Sequence, residues 1–123
     1  AILVNNEAYY RVSDFLRPEH FYEPIHARIF ELSGALVRAG KTATPVTLKT
    51  FLPADLDVAG LSGPRYLARL AAEATTIINA EDYGRAIYDL AVRRDLIRIG
   101  EEIVTDAYDA PVDASPQEQI EEA

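Results

Sequence analysis

The chain carries two histidines, His20 and His26, with Glu19 and Glu23 close by. Imidazole and carboxylate together are ligand chemistry for a divalent metal. Six residues apart, however, the two rings do not share a helix face, since neighbours on a helix are three or four apart. The plainer reading is a side-chain hydrogen bond made by His26 in or against the core, and no metal site is assigned. Carboxylates are plentiful, 20 Asp and Glu against 12 Lys and Arg, yet none pairs for acid–base work. Glu101–Glu102 and Glu121–Glu122 are adjacent, so each pair points two ways, whereas glycoside hydrolysis needs its carboxylates converging in a cleft. No G-x-x-x-x-G-K-[ST] loop is present to cradle phosphates with backbone N–H groups, and no G-x-S-x-G turn to present a nucleophilic serine. No catalytic residue is assigned within this chain.

The sharpest basic feature is Arg93, Arg94 and Arg98. Two readings of it stay open. Asp89–Arg93 and Arg98–Glu102 are i,i+4 pairs, which would make this a solvated helix face. The alternative is an arginine patch that meets a partner, and the three residues are the candidates for partner binding. Net charge is -8, so the chain should repel a nucleic-acid backbone. There is no cysteine, which removes disulfides and thiolate metal sites. No apolar run approaches the ~20 residues that span a bilayer, so no membrane association is expected.

The elements that must carry these residues read as helices. "NEAYYRVSDFL" is a short one, capped by Asn5 or Asn6. "FYEPIHARIFELSGALVRAGK" repeats Ile25, Ile29, Leu32 and Leu36 at helical spacing, with Pro24 in its first turn and Gly40 just past its end. A short helix capped by Thr44 or Thr47 follows, ended by Pro53, and then a glycine-rich turn and a helix opened by Pro64. From Ile78 onward runs the longest helical stretch, capped by Asn79 with Asp82 three residues on. It shows two apolar stripes: Tyr83, Leu90, Ile97 and Val104, and Tyr88, Val92, Leu96, Ile99 and Ile103. Such a helix, roughly 45 Å long if about thirty residues, wants partners on more than one side. "DAPVDA" breaks it, and Ser115, Pro116 and Glu118 supply the start of another.

The expected fold is all-α. A compact multi-helix head covers residues 1–79, and a long helix from Ala80 to about Tyr108 begins a projecting hairpin, 80–123, whose second arm is truncated at Ala123. Leu96, Ile97, Ile99, Ile103 and Val104 are the residues expected to serve self-association. Ala1 follows no methionine and opens an apolar segment, so a fragment of something larger is expected.

The series of segments resembles the N-terminal domain of the bacterial replicative DNA helicase, the DnaB family. Phe21, Tyr22, His26, Ile29 and Phe30 fall on that family's F-Y-x-x-x-H-x-x-I-F pattern, and Val46, Thr47 and Leu48 on its V-T-L. Leu61, Gly63, Tyr66, Leu67 and Leu70 follow its glycine-turn and helix pattern. Asn79 and Tyr83 match N-I-x-x-Y-A, and Arg94 and Leu96 the R-x-L after it. Departures are Thr44 for Asp, Ser62 for the first Gly, Thr75–Thr76 for Pro-Ser, and Gly84 for Ala. The resemblance implies structural roles for Phe21, Tyr22, His26, Ile29, Phe30, Gly63, Tyr66, Leu67, Asn79 and Tyr83. It implies a cytoplasmic, hexameric, ATP-driven helicase at the replication fork, with ATP, Mg and most DNA contacts in a C-terminal domain that this chain lacks. It also implies a collar whose hairpins pair between subunits and which binds primase and a helicase loader. The rival, a standalone dimeric all-helical DNA-binding regulator, needs a recognition helix rich in Arg, Lys, Asn or Gln. "TLKTFL" offers one lysine.

Overall fold

The computed structural model describes residues 2–73 and 77–110, with Ile77 and Ile78 described in backbone only. It is a helical protein. The helices are α1 (Glu7–Val12), α2 (Pro24–Arg38), α3 (Pro45–Leu48), α4 (Gly63–Ala72) and α5 (Ile77–Asp109), with 3-10 turns at Pro18–His20 and Lys49–Phe51. The glycine-rich turn before α4 is a minimal antiparallel hairpin. Asp57–Val58 (β1) pairs with Leu61–Ser62 (β2) around Ala59 and Gly60, whose φ values are 53° and 84°. Among the described residues, no helix is long and apolar enough to cross a membrane.

Residues 1–88 form one compact unit, and a second begins at Asp89. The first therefore takes in α5 as far as Tyr88. Its core is organised around α2, whose apolar residues serve two clusters. Phe30 and Val37 meet Tyr9, Val12, Leu16 and Ala43, with Phe15, Ile87 and Tyr88 partly buried at the edge. Ile29 meets Leu48 and Leu67, with Ile25, Leu32, Tyr66 and Leu70 around them. Leu36 packs against both. A single helix can do this because Ile25, Ile29, Leu32 and Leu36 repeat on one face, while Phe30 and Val37 lie seven apart on the next.

The termini of α2 follow from single residues. Pro24 occupies its first turn, where its missing N–H costs no hydrogen bond. At the other end Gly40 adopts φ 75°. That conformation lets Lys41 N–H reach the Leu36 carbonyl at 2.8 Å and Gly40 N–H the Val37 carbonyl at 3.0 Å, the double closure of a Schellman motif. In α3, Thr44 and Thr47 cap one another reciprocally: Thr47 N–H donates to Thr44 Oγ1 at 3.2 Å and Thr44 N–H to Thr47 Oγ1 at 2.9 Å.

Of the expected caps, Asn5 serves at α1 and Asn79 is displaced. Asn6 does not cap α1 with its side chain. Its Nδ2 donates to the carbonyls of Ile2 (2.7 Å) and Ala43 (2.8 Å), and its Oδ1 accepts from Ala43 N–H at 2.9 Å. Asn5 Oδ1 takes the local role, accepting from Glu7 N–H at 3.1 Å. Asn79 is not the cap of the long helix either, because α5 is already under way at Ile77. Ile77 and Ile78 tolerate helical backbone, so nothing local forces the start to wait for Asn79. The expected second arm, from Ser115, lies outside the described residues.

Candidate interaction surface

The surface builds up from α5. From Asp89 to Asp109, Ala91 is buried, Arg94 is half-buried and every other residue is exposed. The exposed set includes Leu96, Ile97, Ile99, Ile103 and Val104, each between 41% and 62% accessible. At about 100° per residue, Val92, Leu96, Ile99 and Ile103 share one side of the cylinder. Leu90, Ile97 and Val104 share another, about a third of a turn away. The wide polar arc on the far side from the gap between them holds Arg98, which pairs with Glu102 at 3.1 Å and Asp95 at 3.8 Å. Pairs this exposed contribute at most a few tenths of a kcal/mol each. Their chief effect is to keep three charges on one face and leave the apolar stripes uncrossed.

Within the compact unit, α5 is held by its other residues. Gly84 is buried, and a Cβ placed on it would stand 2.6 Å from Val12 Cγ1 and 3.3 Å from Phe15 Cζ. The absence of a side chain thus lets Val12, at the end of α1, and Phe15 just beyond it lie directly against α5. The Arg85 guanidinium stacks 3.7 Å above the Phe15 ring, and Tyr88 meets Phe15 and His20 edge-on, at 6.2 and 5.0 Å between ring centres.

The remaining candidates are placed as follows. Ile29, Phe30 and Leu67 are buried, and Phe21 packs on Phe30 at 5.1 Å. Tyr22 is 77% exposed: Phe21 and Tyr22 are consecutive in non-helical chain, so one faces in and its neighbour out. Gly63 is buried at the start of α4, under Leu56. Among the described glycines, positive φ occurs at Gly40 and Gly60 rather than there. Asn79 lies in the first turn of α5 and is exposed, as is Tyr83.

His26 Nε2 hydrogen-bonds the Tyr66 hydroxyl, with the rings stacked at 6.0 Å. The Tyr66 phenol is raised above its ordinary 10.0, first by burial, then by the Glu23 carboxylate, with Glu73 adding and Arg69 opposing. His20 Nδ1 accepts from Arg17 N–H at 2.9 Å, closing the 3-10 turn. Each histidine thus has a ring nitrogen committed within the fold. No group of three His, Cys, Asp or Glu stands together to hold a metal among the described residues. Sequence reasoning missed Asn6, Gly84 and Arg85. Asn6 bridges 37 positions and no local pattern announces that. The substitution of Gly84 inside a helix was the one available signal, since glycine there is unfavourable without a packing reason.

Comparison with known proteins agrees with this architecture. The family described as DnaB-like helicase N terminal domain matches residues 1–89. The replicative DNA helicase DnaB of Rickettsia conorii is 47% identical over 123 residues, covering 100% of this chain and 25% of that protein. The DnaB helicase of Geobacillus stearothermophilus is 32% identical over 108 residues, 88% of this chain and 24% of that protein. The chain therefore spans about a quarter of the length of these relatives. Among solved structures, the N-terminal domain of DnaB helicase from Mycobacterium tuberculosis superposes with a TM-score of 0.79 at 26% identity, covering 98% of this chain and 84% of that one.

Proposed function

We propose, from the premise that this chain belongs to the family of DnaB-like helicase N-terminal domains, that it is the collar domain of a hexameric replicative helicase. Its work is to hold subunits together, not to catalyse. The observation that supports this is the set Leu96, Ile97, Ile99, Ile103 and Val104, exposed on two sides of α5. Fully covering one Leu or Ile is worth about 1.5–3 kcal/mol. Five half-exposed residues therefore offer on the order of 5 kcal/mol per subunit. Association costs ~4–15 kcal/mol, so a single such contact is weak and a closed ring of repeated contacts is firm. In this reading residues 1–79 are the head and 80–123 belong to a helical hairpin.

The whole protein, in the same proposal, unwinds DNA at the fork with ATP. Nucleotide, Mg and most DNA contacts belong to a C-terminal domain. Primase and a helicase loader dock on the collar, with Arg93, Arg94 and Arg98 as the contact candidates. The family relationship supports the unwinding step, the relatives being replicative DNA helicases by name. Sedimentation of the full-length protein carrying this chain, with an ATP-dependent unwinding assay, tests them together. The expected result is a hexamer that unwinds DNA and that breaks into smaller species when Ile99 becomes Asp. A full-length protein that stays monomeric at micromolar concentration would overturn the assembly role.

A further inference from the structure

We draw no further inference here: the strongest candidate, the apolar cavity of about 350 Å³ bounded by Val12, Leu16, Ile29, Phe30 and Ile87 with the unpartnered Ser33 hydroxyl on its wall, is also lined by Glu73, which borders residues outside the described set, so nothing in the structure shows what covers it.

Discussion

Asn6 ties the chain near its start to Ala43, between α2 and α3, through one donated and one accepted hydrogen bond, and donates a further one to the Ile2 carbonyl. Leaving such half-buried groups unmade costs about 1–3 kcal/mol, so Asn6→Ala should lower stability by that order in a urea melt. Asn6→Asp should be at least as damaging at neutral pH, because it removes both donors and sets a carboxylate against the Ile2 and Ala43 carbonyls. An Asp variant as stable as the parent would mean that these bonds contribute little. The Tyr66 phenol makes a second prediction, through pH. Burial, then Glu23, raise its folded value above 10.0, so the folded chain holds that proton more tightly than the unfolded chain. The resulting stability is complete below the unfolded value and is lost as pH rises through the folded one. Above about pH 10, where the unfolded phenol ionises before the folded one, the parent should therefore lose stability more steeply than Tyr66→Phe. Parallel declines in urea melts of the two proteins would remove Tyr66 from the alkaline transition.

At the scale of elements, Gly84 decides how closely the C-terminal end of α1 approaches α5. Val12 is buried and β-branched, so its Cγ1 cannot swing away from a new methyl 2.6 Å off. Overpacking costs roughly 1–3 kcal/mol, and the helix propensity gained on leaving glycine returns about 1 kcal/mol. Gly84→Ala should be net destabilising, and less so in a Val12→Ala background, where the space exists. A double-mutant cycle in urea reads this coupling, and additive effects would show that the helices simply part. Ala59 makes the opposite case, as a non-glycine at φ 53° in a two-residue hairpin turn. Asn tolerates that conformation better, so Ala59→Asn should raise the thermal midpoint by a few degrees. An unchanged or lower midpoint would show that the turn is not strained. These two positions also mark what the sequence could and could not disclose. The helices with proline at their first turn and Gly40 at an end were legible, because those residues act through their own backbone. The hairpin is legible only as a glycine-rich turn, since strands of two residues leave no alternation to detect. The start of α5 at Ile77 is not legible, because the N-cap preference of Asn79 points to a start that the fold does not use. Asn6, and the fit of Val12 over Gly84, depend on partners far away in sequence, and no periodicity encodes which partner arrives.

At the scale of the whole molecule, the sequence disclosed that α5 carries two apolar stripes but not which of them a neighbour covers. Their spacing offers a way to decide. Val92, Leu96, Ile99 and Ile103 step by four, three and four, two apolar positions per heptad, which is the pattern that interlocks with another helix as knobs into holes. Leu90, Ile97 and Val104 step by seven, one position per heptad, too sparse for a continuous seam. The denser stripe should therefore be the one that closes against another subunit, and the sparser one a peripheral contact. A charge buried in a closed seam costs several kcal/mol unless it is neutralised or paired, whereas the same charge at a periphery stays solvated. Ile99→Asp should accordingly weaken assembly of the full-length protein at least tenfold, and Ile97→Asp should weaken it less. Neither residue belongs to the compact unit of residues 1–88, so the melting of that unit should be unchanged in both variants. Helical content per chain, followed by circular dichroism beside the sedimentation measurement, separates the outcomes. If Ile99→Asp lowers helicity while assembly persists, the dense stripe is covered by the chain's own residues. If Ile97→Asp is the variant that disassembles the protein, the seam lies on the sparse stripe. Either result would overturn the assignment, and loss of assembly in Ile99→Asp with helicity retained is the result expected.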